Sequence, residues 1–293
     1  MSKVCRVGGV AVGGGRTNGS GRPLAVICGP CVLESKELGL SVGRVARDAC
    51  AKHGMSYIFK ASFDKANRSS MHSARGPGLE KGLRWIGEIR AELGVPATTD
   101  IHELDQAESA ARAVDLLQIP AFLCRQTDLL VAAGKAAAKH GRAVNVKKGQ
   151  FMSPGEMGNA VKKLREAGCD NIMLTERGTF FGYGRLVNDF IGVADMMELG
   201  SAEEGGAVPV CFDCTHSTQH PGQDAGGTVT GGRRDRAPTL ALAATAIGVD
   251  ALFIEAHPNP PKAMSDAATQ VYLEQLPDIL RRVAAVRTAV LSG

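Results

Sequence analysis

The sequence has few aromatic residues and no long apolar segment. Phe, Trp and Tyr together make up 4% of its 293 residues, and there is a single Trp. Hydrophobic residues reach 44%, yet no run approaches the roughly 18 apolar residues that a membrane-spanning helix requires. This composition excludes a membrane span and is typical of a globular protein.

The chain also has little net charge. Its 34 Lys and Arg against 30 Asp and Glu leave a formal net charge of +4. Proteins that bind nucleic acid usually cluster Lys and Arg along one face or stripe, and the sequence contains no such cluster. We therefore expect neither a nucleic-acid partner nor a membrane partner.

A secretion signal is likewise absent. Glycines interrupt the short apolar pieces of residues 4–23, so they do not form the continuous apolar core of a signal peptide. We predict that residues 1–23 form a flexible or hairpin-like leader. Eight cysteines in a long chain without a secretion signal favour reduced thiols and a cytoplasmic location over a disulfide framework.

Two cysteine pairs have the spacing of half a zinc site. Cys28 and Cys31 form one pair, and Cys211 and Cys214 form the other. Together they could supply a four-cysteine zinc site. They are far apart in the chain and each pair overlaps a strand-like apolar segment, which makes this the less favoured alternative.

Short apolar segments recur along the chain and alternate with segments of helical period. In 79–93, for example, Leu83, Ile86 and Ile89 mark one face while Glu80 and Lys81 mark the other. The predicted strands are 24–27, 57–59, 96–99, 116–119, 143–146, 171–174, 208–212 and 251–254. Alternating strands and helices imply a parallel sheet, and a final helix is expected over about residues 269–291.

Eight such units predict one α/β domain over residues 24–293, a (β/α)8 TIM barrel. An open doubly wound sheet is less favoured, because no Gly-x-Gly-x-x-Gly follows the first strand to indicate dinucleotide binding. We therefore expect no nucleotide cofactor.

Polar residues follow the predicted strands, at the end where barrel enzymes build their sites. Charged groups there are costly to bury without an opposite charge, so Lys60, Lys147 and Arg177 predict a polyanionic ligand carrying phosphate or carboxylate groups. The full set is Cys31, Lys60, Ser62, Asp100, His102, Gln118, Lys147, Lys148, Glu176, Arg177, Asp213, His216, Glu255 and His257. It predicts an enzyme that acts on small phosphorylated anions.

The loop after the second predicted strand could hold a second anion. It carries Lys65, Asn67, Arg68 and Ser69, whose amide and hydroxyl groups are good phosphate donors beside the basic side chains. The alternative is a solvated basic loop. A glycine-rich segment over 222–232, before Arg233, predicts a flexible loop of the kind that often acts as a lid.

Four further groups could bind a divalent metal. Cys31, His216, Glu255 and Asp266 follow the first, seventh and eighth strands, which are neighbours around a closed barrel. Mixed sulfur, nitrogen and oxygen ligands suit zinc, iron or manganese better than calcium. A structural cysteine and a paired histidine remain the alternative.

These motifs resemble those of the 3-deoxy-D-manno-octulosonate 8-phosphate (KDO-8-phosphate) synthases. The resemblance extends from about residue 24 to the end of the chain and is carried by residues 29–35, 59–70, 118–128, 145–148, 212–216 and 254–258. It implies condensation of phosphoenolpyruvate with D-arabinose 5-phosphate and water, giving the eight-carbon sugar-acid phosphate and inorganic phosphate for lipopolysaccharide biosynthesis.

The resemblance also implies roles for individual residues. Phosphoenolpyruvate would be bound by Lys60, Ser62, Lys147 and Arg177, and arabinose 5-phosphate by Lys65, Asn67, Arg68 and Ser69. Lys60, Lys147, His216 and Asp266 would be catalytic, the last two as candidates for proton transfer. Phe122 and Arg125 would reach a neighbouring subunit's site in a homotetramer.

Two positions bear on the type of synthase. Relatives that work without a metal have Asn where this chain has Cys31, so the resemblance implies the metal-dependent type, with Cys31, His216, Glu255 and Asp266 as ligands. Erythrose-4-phosphate-using synthases of the shikimate pathway (DAHP synthases) typically have Lys-Pro-Arg-Thr at 65–68, whereas this chain has Asn67.

The sequence leaves three alternatives open. One is the erythrose-4-phosphate synthase, and another is an aldolase that forms a Schiff base on Lys147 or Lys60. The third is a barrel that binds sugar phosphates without catalysis.

Overall fold

A computed structural model describes residues 3–14, 22–66, 75–200, 205–221 and 231–292. The chain begins with an antiparallel hairpin of β1 (Val4–Val7) and β2 (Val10–Gly13), in register so that Val4 faces Gly13 and Val7 faces Val10. Residues 1–2 and 15–21 of the predicted leader, and 222–230 of the predicted glycine-rich loop, lie outside the described residues.

Eight parallel strands then close into a barrel. They are β3 (Ala25–Gly29), β4 (Ser56–Lys60), β5 (Ala97–Asp100), β6 (Leu116–Ile119), β7 (Ala143–Lys147), β8 (Ile172–Glu176), β9 (Val210–Asp213) and β12 (Ala251–His257). Strand β12 closes the barrel because it pairs with both β3 and β9, so that Ala251 is in register with Ala25 and with Cys211. Every predicted strand overlaps an observed one, and the predicted single (β/α)8 TIM barrel is confirmed.

Helices surround the barrel. They are α1 (Lys36–Lys52), α2 (Leu79–Leu93), α3 (Gln106–Ala113), α4 (Thr127–His140), α5 (Met157–Glu166), α6 (Phe190–Met197), α7 (Ala237–Ala246) and α8 (Leu276–Ser292), with short 3₁₀ turns at Ala121–Leu123, His216–Thr218, Arg234–Arg236, Pro260–Lys262 and Leu273–Gln275. Each of these α-helices in the described residues is too short or too polar to cross a bilayer.

Local sequence signals account for most helix boundaries. Helix α2 coincides with the predicted segment and ends at Gly94, whose positive φ of 66° is favourable for glycine. Helix α1 begins after Ser35, whose hydroxyl accepts a hydrogen bond from the Leu38 N–H at 3.1 Å.

The expected start of the last helix was wrong. Residues 269–275 form a short strand and a 3₁₀ turn instead, because β13 (Val271–Tyr272) pairs in parallel with the end of β12. Helix α8 therefore begins at Leu276, directly before Pro277, a residue that is tolerated in the first turn of a helix.

Two apolar cores hold the barrel. The larger lies between the strands and the helices. The smaller fills the inside of the barrel, where Ile27, Ile58 and Phe253 pack beneath the polar strand ends, and it continues into Val7 and Val12 of the hairpin. The hairpin thus covers the N-terminal end of the barrel and leaves the C-terminal end open.

A short antiparallel pair lies at that open end. Strand β10 (Gln219–His220) pairs with β11 (Gly231–Gly232), in register so that Gln219 faces Gly232. These two strands lie before and after residues 222–230, and they pair beside the mouth of the barrel.

Candidate active site

One cavity of about 810 Å³ opens at the C-terminal ends of the strands. Its wall includes ten side chains that the sequence had assigned to the site: Lys60, Ser62, Lys65, Asp100, His102, Lys147, Arg177, His216, Glu255 and Asp266. Residues from six strand ends and their loops therefore meet at one place, because all strands of the barrel are parallel.

Lys60 lies at the end of β4 and is 2% exposed. Its ammonium donates to Glu255 Oε1 at 2.6 Å and to the Cys31 carbonyl at 2.8 Å. Burial alone lowers the pKa of a lysine, but the Glu255 carboxylate has the opposite effect and the pKa of Lys60 is raised. Lys60 is therefore a cation inside the barrel.

Lys147 and His216 share one carboxylate. Asp213 Oδ2 lies 2.7 Å from Lys147 Nζ and 2.8 Å from His216 Nδ1, while Oδ1 accepts the backbone N–H groups of Thr215 and His216. These cations and hydrogen bonds outweigh burial and lower the pKa of Asp213 far below its ordinary value. Asp213 thereby fixes the Nδ1 side of the imidazole and leaves Nε2 facing the cavity.

Arg177 offers an unused donor to the cavity. One guanidinium nitrogen, Nη2, donates to Gln219 Oε1 at 2.6 Å, whereas the buried Nη1 has no hydrogen-bond partner among the described residues. Burial lowers the pKa of Arg177, but the side chain remains charged because arginine starts so high. A buried, unsatisfied guanidinium donor is costly unless a ligand accepts from it.

A chain of hydrogen bonds supports the cavity floor. Ser62 Oγ and Gln118 Nε2 both donate to Asp100, at 2.5 and 2.7 Å. Asn145 donates to Gln118 Oε1 at 3.0 Å, and Thr175 donates to Asn145 Oδ1 at 2.8 Å. Because every member is buried or nearly so and uses its polar groups within the chain, the network orients Ser62 and Asp100 rigidly.

Three of the four proposed metal ligands come together. One ligand atom from each of Cys31, Glu255 and Asp266 lies within 4.8 Å of the other two. The fourth, His216, places Nε2 at 3.7 Å from Glu255 and 3.8 Å from Asp266. The structure therefore brings Cys31, Glu255 and Asp266 close enough to share one cation, and His216 lies beside two of them but outside that group.

The electrostatics of this cluster also suit a cation. Glu255 Oε2 is buried and has no hydrogen-bond partner among the described residues. Lys65 Nζ donates to Asp266 and to Cys31 Sγ, the latter at 3.3 Å, so an ammonium already lies against two of the four groups. Burial, with Asp266 and Glu255, raises the pKa of the Cys31 thiol, while Lys65 overcomes burial and lowers the pKa of Asp266.

Asp266 has an unusual backbone. Its φ is 47°, a left-handed conformation that is uncommon for residues other than glycine. Gln219 Nε2 lies 3.3 Å from its carboxylate, and Cys31 Sγ lies 3.0 Å from it. Such strain at a residue with charged neighbours is typical of functional sites.

The four-cysteine alternative is wrong. Among the described residues, the one group of three or more ligand side chains close enough to share a metal contains Cys31 but none of Cys28, Cys211 and Cys214. All eight cysteines are buried and free. In each Cys-x-x-Cys pair, the first cysteine lies within a strand and the second lies beyond its end. The two cysteines of a pair therefore have different surroundings.

Some predicted strand-end residues lie outside the cavity. Lys148 is buried against the Met152 carbonyl and Thr179 Oγ1, with Glu176 at 3.4 Å. His257 contacts Glu34 at 3.6 Å and accepts a hydrogen bond from the Asn259 N–H. Their polar groups have protein partners, which indicates structural roles. Asn67, Arg68 and Ser69 lie outside the described residues.

Sequence reasoning missed several residues of the site. Gln219 connects Arg177 to Asp266, and Gln150 and Phe180 line the cavity. None of them stands at the end of a predicted strand, and no spacing marks them. Only the loop paths bring them into the cavity wall.

The chain matches the model of the DAHP synthetase I family over residues 10–292. Proteins named 2-dehydro-3-deoxyphosphooctonate aldolase are similar to it over nearly its whole length. That of Cyanothece sp. is 52% identical over 272 residues, which is 93% of this chain and 95% of that protein. That of Desulfotalea psychrophila is 51% identical over 93% of this chain and 92% of its own.

A third relative matches almost the whole of this chain. The protein of the same name from Citrifermentans bemidjiense is 46% identical over 290 residues, which covers 99% of both chains. The family resemblance inferred from the motifs is thereby confirmed, and the chain belongs to the 2-dehydro-3-deoxyphosphooctonate aldolases (KDO-8-phosphate synthases) of the DAHP synthetase I family.

Proposed function

We propose that this chain is a transferase that condenses phosphoenolpyruvate with D-arabinose 5-phosphate and water, releasing inorganic phosphate. The observation that carries the proposal is the meeting of Lys60, Lys147 and Arg177 in one cavity, where Arg177 Nη1 has no partner among the described residues. A small ligand with a carboxylate and a phosphate group would satisfy these donors. The names of the relatives support the same reaction.

Phosphoenolpyruvate binds, in this proposal, to Lys60, Ser62, Lys147 and Arg177. The two lysines supply point charges held by Glu255 and Asp213, and Arg177 supplies a planar pair of donors. The sugar phosphate is assigned to Lys65 and, by resemblance, to Asn67, Arg68 and Ser69. The two anions would then lie side by side along the cavity.

The reaction forms a carbon–carbon bond from C3 of phosphoenolpyruvate to the sugar aldehyde. The oxygen of water bonds to C2, and water gives one proton to the aldehyde oxygen and the other to the departing phosphate. The C2–O bond breaks with its electron pair on the phosphate, and C2 becomes a carbonyl. Because phosphoenolpyruvate is a weak carbon nucleophile, positioning by the fixed cations supplies much of the rate. Asp266 is assigned to the proton transfers, since it lies on the cavity wall and keeps one carboxylate oxygen when the other binds the metal proposed below, whereas the cavity-facing Nε2 of His216 would bind that metal.

A divalent metal is part of this proposal. Cys31, His216, Glu255 and Asp266 would hold it. Glu255 Oε2 has no hydrogen-bond partner in the described part of the chain, and the mixed donor set fits zinc, iron or manganese. When bound, such an ion supplies a Lewis acid beside the substrates.

Two alternatives are disfavoured by specific observations. A Schiff-base aldolase needs a neutral lysine amine, whereas Lys60 has a raised pKa and Lys147 donates to Asp213 at 2.7 Å. The erythrose-4-phosphate synthase is disfavoured because the relatives compared above are all named for the phosphooctonate reaction.

The test is phosphate release from phosphoenolpyruvate with either sugar phosphate, with and without excess chelator. We expect turnover with arabinose 5-phosphate and its loss on chelation, with recovery when a divalent metal is returned. Preference for erythrose 4-phosphate would overturn the substrate assignment, and full activity in chelator would overturn the metal assignment. Absence of release with both sugars would support a non-catalytic barrel.

We also propose a homotetramer in which Phe122 and Arg125 complete a neighbouring subunit's site. Phe122 is 52% exposed at the cavity rim, so its ring is available for contact with a second subunit. The test mixes two inactive variants, Lys60→Met and Arg125→Ala, after joint refolding. If each site combines residues of two subunits, random assembly of the two variants should restore about one quarter of wild-type activity. Absence of any recovery would exclude shared sites.

The proposed location is the cytoplasm. Its support is the free state of all eight cysteines, each of which is buried. Thiols are kept reduced in that compartment. Fractionation of cells that express the tagged chain would test this location.

A further inference from the structure

Two segments that are distant in sequence carry the proposed metal ligands Cys31 and Asp266. The first follows β3 and the second follows β12. They meet because these two strands are paired in the closed barrel. Cys31 Sγ and Asp266 Oδ2 lie 3.0 Å apart although 235 residues separate them. Something must hold these two irregular segments in register, because neither ligand is part of a strand.

The side chain of Gln270 spans the two segments. Its Oε1 accepts a hydrogen bond from the Cys31 backbone N–H at 3.2 Å, and its Nε2 donates to the Ser265 carbonyl at 2.8 Å. The side chain is 1% exposed. Both ends of one buried amide are therefore used, one on the residue that carries the thiol and the other on the residue before Asp266.

The backbone of Gln270 fixes the other side of Asp266. The Asp266 carbonyl accepts the N–H groups of Thr269 and Gln270, at 3.0 and 3.1 Å. Asp266 thus lies inside a turn that is tied on both sides to Gln270. Its left-handed φ of 47° is a strained conformation that persists only when surrounding contacts determine it.

We propose that Gln270 is a positioning residue for the cation site, holding Cys31 and Asp266 at the separation that lets both bind one ion. The inference rests on the proposed metal site. Gln270 does not touch the ligand atoms; it acts on the two backbones that carry them. Partners of this kind commonly contribute about 10- to 100-fold in metal affinity.

A second contact joins the same segments farther from the ligands. The Met264 N–H donates to Glu34 Oε1 at 2.8 Å. Since this contact does not involve Gln270, the two segments should stay associated when the Gln270 amide is removed. The expected effect of such a variant is a looser ligand geometry in a folded protein.

Glutamine is the side chain that this position requires. It supplies an acceptor for an N–H group and a donor for a carbonyl at the end of a chain long enough to reach both. Methionine has nearly the same length and volume but forms neither bond. Asparagine keeps the amide but is one methylene shorter, so it cannot reach both segments.

The test compares Gln270→Met and Gln270→Asn with a control variant, Asn171→Ala. Asn171 is also an amide that bridges two backbones, since its Nδ2 donates to the Arg6 and Arg142 carbonyls, but it lies at the opposite end of the barrel. Each protein is stripped of metal, and its affinity for Zn²⁺ alone is measured by competition with a chromophoric chelator. Unfolding in urea gives the stability of each variant.

We expect Gln270→Met to weaken Zn²⁺ binding about 10- to 100-fold, Gln270→Asn to weaken it less, and Asn171→Ala to leave it within about twofold. In the metal-free proteins, the Cys31 amide should exchange with solvent faster in Gln270→Met than in wild type. If Gln270→Met does not fold, the Zn²⁺ affinity and the Cys31 amide exchange rate of Gln270→Asn test the inference instead.

Wild-type Zn²⁺ affinity in both Gln270 variants would overturn the inference, as would an equal loss in Asn171→Ala. Failure of the wild-type protein itself to bind Zn²⁺ would overturn the proposed metal site instead. The two failures are therefore distinguishable.

Discussion

Lys60 and Glu255 form an ion pair inside the barrel, with Nζ 2.6 Å from Oε1 and the two side chains 2% and 0% exposed. Glu255 therefore gives one carboxylate oxygen to Lys60, while its other oxygen lies 3.7 Å from His216 Nε2. A single buried carboxylate thus joins the proposed phosphoenolpyruvate subsite to the proposed metal cluster. Changes at either residue should affect both.

Replacing Lys60 with Met should abolish most turnover and destabilise the protein. The change leaves the buried Glu255 carboxylate without its cation, which typically costs about 3–5 kcal/mol. Urea unfolding measures the stability, and phosphate release measures the activity. A variant that unfolds like wild type would show that the pair contributes little, and retention of turnover would remove Lys60 from the catalytic set.

Arg177→Lys should raise the KM for phosphoenolpyruvate more than it changes the KM for the sugar phosphate. A lysine keeps the charge but loses the second donor, and a hydrogen bond to a charged group contributes about 1.5–3 kcal/mol. The expected rise is about tenfold or more. The control is Lys163→Met, which removes a cation that bonds Thr127 on the outer helices and should leave both KM values unchanged.

Cys31→Asn should weaken metal binding and retain part of the turnover. Asn cannot supply the thiolate that the cluster offers, but it is small and polar enough to occupy the position beside Asp266. The control is Cys28→Ala, which removes the other thiol of the Cys-x-x-Cys spacing and lies outside the cluster. Loss of metal affinity in Cys28→Ala, or loss of folding in Cys31→Asn, would indicate a structural thiol.

Asp213→Asn should reduce both metal affinity and affinity for phosphoenolpyruvate. The carboxylate holds Lys147 Nζ and His216 Nδ1 on one oxygen and two backbone N–H groups on the other. An amide has only one acceptor oxygen, so its NH2 group would face donors in either orientation. We expect a loss in kcat/KM of about a hundredfold, in the range found for partners that orient a ligand or a charged group. Zn²⁺ titration and phosphate release should both report it, and an effect on only one would separate the two roles.

Asp170→Asn should weaken the hold of the N-terminal hairpin on the barrel. Asp170 pairs with Lys3 of the leader and with Arg165, which overcome partial burial and lower its pKa. Because the folded pKa lies below the unfolded value, the stabilisation is present above about pH 4 and is lost as pH falls through the folded pKa.

The expected loss near neutral pH is small, at most about 1 kcal/mol, since both side chains are partly exposed. Urea unfolding of wild type and variant should therefore differ near pH 7 and converge in acid. A difference that stays constant down to about pH 3 would show that the carboxylate acts through its shape rather than its charge.

The periodicity of the sequence was sufficient to predict the barrel, and the polar residues at and after the strands were sufficient to predict most of the charged side chains in the cavity wall. Helix α2 matches its predicted bounds because its apolar spacing and its terminal glycine both mark them. The start of α8 was missed because Val271 and Tyr272 pair with β12, a long-range contact that overrides local helix propensity.

Lys148 and His257 show a similar limit. Both follow strands and carry the polar groups expected of a site, yet each is satisfied by neighbouring protein groups. The side chain of a residue at a strand end can point into the barrel mouth or towards the surrounding loops. The alternation of apolar and polar residues along the strand does not show which of these two directions it takes.

By itself, the sequence determined the eight strand–helix units, the set of cations at their ends and the family, because these depend on residue type and order. Only the tertiary structure decided the pairing of Lys60 with Glu255, the sharing of Asp213, and the link from Gln270 to Cys31 and Ser265. Barrel closure creates the contacts of Glu255 and Gln270 by joining β12 to β3, and the shared mouth of the barrel brings Lys147 from β7 to Asp213 of β9. No local sequence pattern relates these residues.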